Sequence, residues 1–227
     1  MIKRGQKEIS VMFYCQNCLM PSTRPRITFS EYEGKKICNS CSWSFEKKII
    51  NWQERQNHLK GLCDKYGKCI VPWSGGKDSI YVAHKMRDLG MSPVLVTILP
   101  HLETEIGKWN RENTCYSFDH VWVTLKEEKY RSLAKKHFIE WGKCKHPWET
   151  AISAVVINQS IELGIPFIVY GEEGEQEYGG VSREKDRWMF PVDKEYLMKY
   201  YYMEQLDWEL PGDEVFSKIF FTQYSRF

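Results

Sequence analysis

The sequence predicts an α/β protein, a parallel twisted sheet with helices on both faces, preceded by a small cysteine-bearing ribbon. Three observations predict it. From about residue 46, strand-like and helix-like segments alternate, the pattern of a parallel sheet with right-handed crossovers. One of these segments, Pro93 to Leu99, is a continuous run without a polar face, as in strands buried on both sides. Four of the eight cysteines fall within residues 1–45 as two CxxC pairs. Two domains are therefore expected, a ribbon over 1–45 and an α/β domain over 46–227.

Composition bounds the function. A chain of 227 residues, 42% hydrophobic and 27% charged, holds one substantial soluble domain and a small appendage. A net charge of +2 gives no electrostatic case for a large nucleic-acid surface. No apolar run reaches bilayer length and no signal-peptide pattern opens the chain, so a cytoplasmic protein without membrane attachment is expected. Cysteines there serve as metal ligands and free thiols rather than disulfides.

In the ribbon, Cys15 and Cys18 are separated by nineteen residues from Cys38 and Cys41. Four thiolates so spaced suit a closed tetrahedral Zn²⁺ site, and an iron–sulfur cluster would use the same ligands. Between them Arg26 to Phe29 is strand-like, Glu33-Gly34 is a turn, and Lys35 to Ile37 returns. A hairpin this small cannot fold on apolar burial, so the metal must supply most of its folding free energy.

The second domain opens with a helix expected over Trp43 to Tyr66, its apolar face carrying Ile49, Ile50, Trp52, Leu59 and Leu62. Cys69 to Val71 is the first strand, Ile80 to Leu89 a helix stopped by Gly90, and Pro93 to Leu99 the second strand. Thr104 to Cys115 reads as a helix and His120 to Leu125 as a strand, with Asp119-His120 entering through a turn. Glu127 to Trp141 is a charged helix with Leu133, Ala134, His137 and Phe138 inward. A helix over Glu149 to Leu163, opened by Pro147 and ended by Gly164, leads to strands at Ile165 to Tyr170 and Val215 to Thr222. Cys63, Cys69, Cys115 and Cys144 stand alone and read as packed or idle thiols.

Between the first strand and its helix lies Ser74-Gly75-Gly76-Lys77-Asp78-Ser79. Glycines admit positive φ and close approach to an oxyanion, Ser74 and Ser79 add hydroxyls, Lys77 adds a cation, and the helix start adds free N–H groups. A strand, a glycine turn and a helix N-terminus make a phosphate cradle, though GxxxxGK[ST] is absent. Ligands of parallel sheets bind at the strands' carboxyl ends, so this loop, the loop from Pro100 and the loop from Gly171 should open onto one crevice. The last contains four glutamates, Glu172, Glu173, Glu175 and Glu177, followed by Tyr178, a cluster costly to assemble without a cation.

The six residues Ser74 to Ser79 match SGGKDS, the signature of the PP-loop ATP pyrophosphatases, whose HUP-like fold binds adenine nucleotides. Cys15-Gln16-Asn17-Cys18-Leu19-Met20-Pro21-Ser22-Thr23-Arg24-Pro25 resembles the CxxCxMPxTxP ribbon of the N-acetyl sugar amidotransferases of bacterial surface-glycan pathways. Gly171 to Gly180 is similar to their GENxxxEYGG segment, with Glu172, Glu177 and Tyr178 matching and Glu173 standing where asparagine is usual.

The resemblance implies cleavage of ATP to AMP and pyrophosphate, with AMP passed to the acetamido oxygen of a nucleotide-linked sugar. Ammonia would then give an acetamidino group. It implies Lys77 and Asp78 as catalytic residues, and Ser74 to Ser79 with Glu172, Glu177 and Tyr178 as ATP, Mg²⁺ and sugar ligands. Structural Zn²⁺ would sit on Cys15, Cys18, Cys38 and Cys41. The implied ammonia source is a partner glutaminase with a barrel subunit, resembling those of imidazole-glycerol-phosphate synthase. Members of that family continue past the point where this chain stops, so the aromatic end Phe220 to Phe227 reads as a cut through a fold. Two rival readings are a PP-loop tRNA thiolation enzyme, which would need core cysteines and a basic face, and a catalytically idle scaffold or regulatory subunit.

Overall fold

A computed structural model describes residues 12–24, 27–171, 190–192 and 216–220. They fall into two units, one ending at Asn51 and the other beginning at Trp52.

The first unit is a hairpin followed by a short helix. Strands β1 (Phe29–Tyr32) and β2 (Lys35–Cys38) pair antiparallel. Glu33 and Gly34 join them at φ 49° and 74°, the two left-handed residues that a tight hairpin turn demands. Helix α1 (Asn39–Glu46) starts directly from Cys38. Among the described residues its core cluster buries Ile37 with Cys15, Cys38 and Cys41, Met20, Ile27, Phe29 and Phe45 packing around them half-buried, and Trp43 of α1 is buried as well. So thin a core agrees with a fold that depends on its metal.

The helix expected over Trp43 to Tyr66 is two. Helix α1 passes into a 3₁₀ turn at Lys47–Ile49, the backbone becomes extended at Ile50 (ψ 133°), and α2 runs Trp52–Tyr66. Ile49 does not join the apolar face; it is exposed.

The second unit is a six-stranded sheet. Its strands are β3 (Lys68–Pro72), β4 (Ser92–Leu99), β5 (Asp119–Thr124), β6 (Phe167–Tyr170), β7 (Phe190–Val192) and β8 (Phe216–Phe220), in the order β5-β4-β3-β6-β8-β7. All neighbours are parallel except β7, which runs antiparallel to β8. The expected last strand is therefore present, and β7 is an addition that the sequence did not announce.

Alternation along the strands explains the run at Pro93 to Leu99. Leu95 joins Cys69, Val71, Phe167 and Val169 on one face, packed with Leu59 and Leu62 of α2 and with Val82, Ala83 and Met86 of α3 (Lys77–Asp88). Val94, Val96 and Ile98 join Ile70 and Ile168 on the other, against Ala151, Ala154 and Val155 of α6 (His146–Glu162). Both faces are covered, so no polar alternation is possible.

Local signals set the helix ends. Helix α3 closes with Gly90 at φ 89°, its N–H bonding to the Arg87 carbonyl while Met91 N–H reaches Met86. Thr104 caps α4 (Glu105–Thr114), its hydroxyl accepting from Gly107 N–H at 3.1 Å. Pro147 sits in the first turn of α6, where a missing N–H costs nothing. On α5 (Glu127–Trp141) His137 is buried as expected, but Phe138 is exposed. Asp119 and His120 open β5 rather than forming a turn.

Candidate active site

The sheet changes direction at β3: the chain adds β4 and β5 on one side, then β6 on the other. A cleft must open between the connections that leave on opposite sides of such a point. Here it is a crevice of about 350 Å³, lined at the end of β3 by Trp73, Ser74, Gly76, Asp78 and Ser79. Pro100 and Glu103 line it after β4, and Tyr170 and Gly171 at the end of β6. The loops after β3 and β4 converge here as expected, together with Gly171; the rest of the third loop lies outside the described residues.

Within the glycine loop, Ser74 Oγ accepts from Gly76 N–H at 3.2 Å and lies 3.3 Å from Ser79 Oγ, which in turn donates to the Gly76 carbonyl at 3.0 Å. These bonds hold the loop without using the N–H groups of the first turn of α3, which starts at Lys77. Gly75 adopts φ 74°, and Arg111 lies so near that a Cβ there would meet its Cα at 2.8 Å. Gly171 is likewise close, its hypothetical Cβ 3.2 Å from the carbonyl carbon of Asp78. Lys77 Nζ bonds Asp78 Oδ1 at 2.5 Å, with the lysine side chain 87% exposed. Ser74, Gly75, Gly76, Lys77, Asp78 and Ser79 thus form one contiguous cradle, and Glu172, Glu177 and Tyr178 lie outside the described residues.

Several residues of the crevice have no counterpart among the expected ones. Arg111 of α4, only 5% exposed, pairs with Glu103 through both terminal guanidinium nitrogens, Nη2 to Oε2 at 3.0 Å. Its Nε is buried without a hydrogen-bond partner among the described residues. Trp148, Ile152 and Val156 of α6 with Val96, Ile98 and Tyr170 give the crevice an apolar side. Thr97, which also lines the crevice, donates its Oγ1–H to the Trp73 carbonyl at 2.8 Å, so it must accept from His120 Nε2 at 2.8 Å. That fixes the His120 tautomer as Nε2–H. Burial, with the positive charge of Arg111 adding to it, pushes His120 down to about 4, so the ring is neutral at physiological pH. A polar cradle beside an apolar wall accommodates an oligophosphate joined to a flat aromatic group.

No cysteine lines this crevice. Cys63, Cys69 and Cys115 are buried, and burial raises each thiol, Cys63 to about 11; Cys144 is exposed. Cys63, Cys69 and Cys115 are therefore not activated nucleophiles.

In the ribbon unit, Cys15, Cys18, Cys38 and Cys41 have all four sulfurs within 4.8 Å of one another. Cys15 to Cys41 is 3.8 Å and Cys18 to Cys38 is 3.6 Å. A tetrahedral ion with metal–sulfur bonds of about 2.3 Å has sulfur–sulfur edges of about 3.8 Å, so the set fits one metal ion. Several irons in a cluster would hold the same sulfurs farther apart. The first knuckle is shaped by Leu19 at φ 61°, whose N–H bonds the Cys15 carbonyl. The second straddles the start of α1. Burial works to raise the Cys15 thiol, but N–H donors of Cys18, Cys38 and Asn17 outweigh it and bring it to about 6, whereas burial takes Cys41 up to about 12. Arg24 of the ribbon motif is exposed, its Nη1 lying 3.8 Å from Met20 Sδ, and Arg26, at the start of the expected strand, is outside the described residues.

No helix among the described residues is long and apolar enough to cross a membrane. No protein-family profile and no curated protein matches the chain. Solved structures similar to it include a predicted subunit of a tRNA methyltransferase from Methanocaldococcus jannaschii, with TM-score 0.39 and 15% identity over 67% of this chain and 68% of that one. An NH3-dependent NAD synthetase from Campylobacter jejuni has TM-score 0.41 and 9% identity over 56% and 59%. An NMN synthetase from Francisella tularensis has TM-score 0.41 and 14% identity over 54% and 53%. The chain thus spans between about half and two thirds of these proteins' lengths.

Proposed function

We propose that the chain is a cytoplasmic, ATP-dependent, AMP-forming enzyme of the PP-loop type, and within it an N-acetyl sugar amidotransferase. The observation that carries the first step is the SGGKDS loop seated between β3 and α3 at the switch point, with Gly75 packed closely on the Arg111 backbone and Ser74, Gly76, Asp78 and Ser79 lining the crevice. The narrower step rests on the ribbon motif over Cys15 to Pro25 and on the Gly171 to Gly180 segment.

An amide carbonyl is a poor electrophile. Transfer of AMP to its oxygen gives an imidate with a good leaving group, which ammonia converts to the amidine. Charge accumulates on the α-phosphate and on departing pyrophosphate, where the cradle N–H groups, Ser74, Ser79 and Lys77 stabilise it. Asp78 would supply one carboxylate to a Mg²⁺, which would offset the phosphate charge. The four-cysteine site would hold Zn²⁺ in a structural role. Ammonia would come from a separate glutaminase through a barrel-type subunit. A tRNA thiolation role fits less well, because no cysteine lines the crevice.

The test is incubation of the protein with ATP, Mg²⁺, ammonium and UDP- or CMP-linked N-acetyl sugars. Mass spectrometry should find AMP, pyrophosphate and a sugar in which NH replaces O. Formation of ADP would overturn the first step, and AMP without a change in any sugar the second.

A further inference from the structure

Resting on the reading that the crevice binds a nucleoside triphosphate, we infer that Arg111 is a second phosphate-binding cation of the site, with Glu103 as its resting counter-ion. Arg111 is 5% exposed and lines the crevice beside Ser74, Gly76 and Asp78. Its main chain packs directly on Gly75, where a Cβ would lie 2.8 Å from Arg111 Cα. The backbone that carries the guanidinium is thus packed on the loop that would hold the phosphates.

A guanidinium has five N–H donors. Glu103 engages two of its nitrogens, and among the described residues Nε is buried without an acceptor. An unsatisfied donor on a buried cation is costly, so among the described residues Arg111 lacks enough anionic acceptors. Phosphoryl oxygens supply them, and the planar fork takes two at once. Lys77, 87% exposed and paired with Asp78, is a solvent-screened point charge by comparison.

Glu103 explains how such a cation is tolerated before the ligand arrives. A buried arginine without a carboxylate would be an uncompensated charge. The Glu103 side chain keeps 20% exposure, so it can yield its place to phosphate and turn to solvent. It therefore competes with the ligand.

The experiment is calorimetric titration of the full chain with ATP, inorganic pyrophosphate and adenosine, for wild type, Arg111→Lys and Glu103→Gln, each checked for a native melting transition. Arg111→Lys should weaken ATP and pyrophosphate by about tenfold or more, the loss of a bidentate charge-assisted contact, and leave adenosine unchanged. Glu103→Gln should tighten pyrophosphate. If Arg111→Lys binds all three as wild type does, or weakens adenosine equally, Arg111 is structural and the inference falls while ATP binding stands. If Arg111→Lys does not fold, Glu103→Gln decides: unchanged or weaker pyrophosphate binding overturns the inference. Wild type binding neither ATP nor pyrophosphate overturns both readings.

Discussion

Gly75 and Arg111 touch at the level of their backbones: a methyl group on Gly75 would stand 2.8 Å from Arg111 Cα and 3.0 Å from its Cβ. With φ at 74°, Gly75 is doubly constrained, by conformation and by space. Gly75→Ala should therefore cost about 1–3 kcal/mol of stability and move α4 away from the loop. Denaturant melts check the first effect. A loss of ATP binding greater than the stability loss explains checks the second, and unaltered binding would show that the contact is incidental.

Lys77 presents the opposite case. Its side chain is 87% exposed and its ion pair with Asp78 lies at the surface, so Lys77→Ala should leave the melting temperature nearly unchanged. AMP formation should fall by at least about a hundredfold, because the loop loses a charge that acts on the developing pyrophosphate. A radiolabelled-ATP assay reads this directly, and retained turnover would remove Lys77 from the mechanism.

Metal analysis should find one zinc per chain, and chelation should unfold residues 12–51 while the sheet unit keeps its melting transition. The pH dependence follows from the thiols. Because the metal-free ribbon is unfolded, its four thiols there stand near the ordinary value of about 8.5, and each must release its proton on binding at pH 7. Zinc affinity should therefore fall steeply as pH drops below 8. Titration with a chromogenic chelator between pH 5 and 8 measures that slope, and a flat profile would remove the thiolate ligand set.

His120 should make the sheet unit acid-sensitive. Its value is lowered in the fold to about 4 from an ordinary 6.5, so the folded state binds fewer protons than the unfolded one between those limits. Its stabilising effect is complete above pH 6.5 and is lost as pH falls toward 4. The loss is on the order of 2 kcal/mol, discounted for partial exposure. Unfolding free energies from urea melts at pH 7 and pH 4.5 should differ by about this amount in wild type and by clearly less in His120→Gln. Equal slopes would place the acid sensitivity elsewhere.

The parts of the site read from sequence are those whose chemistry is contiguous. Ser74 to Ser79 carry donors, glycines and a cation in six adjacent positions, and the strand before and helix after them are strongly patterned. The four cysteines likewise declare themselves by spacing. Arg111 and Glu103 were not legible, because a buried ion pair depends on a partner that only tertiary packing supplies. α4 carries its arginine among Lys108, Trp109, Asn110 and Glu112, which reads as an ordinary solvated helix. The same applies to Trp148, which looked like part of a helix start, and to His120, whose role depends on Thr97 across the sheet. The interruption at Ile50 escaped notice because no glycine or proline marks it.

Residue Ile70 of the central strand has Val94 as one neighbour and Ile168 as the other. The first partner leaves the ribosome soon after it; the second emerges only after α4, β5, α5 and α6 have been made. During synthesis the glycine loop is therefore complete long before its far wall exists, and one face of β3 waits as an open edge. A parallel pairing this distant in sequence is slow to close. Nascent chains stalled before Phe167 should be the species most in need of chaperone protection, and nucleotide added during translation has no finished crevice to bind until that strand docks.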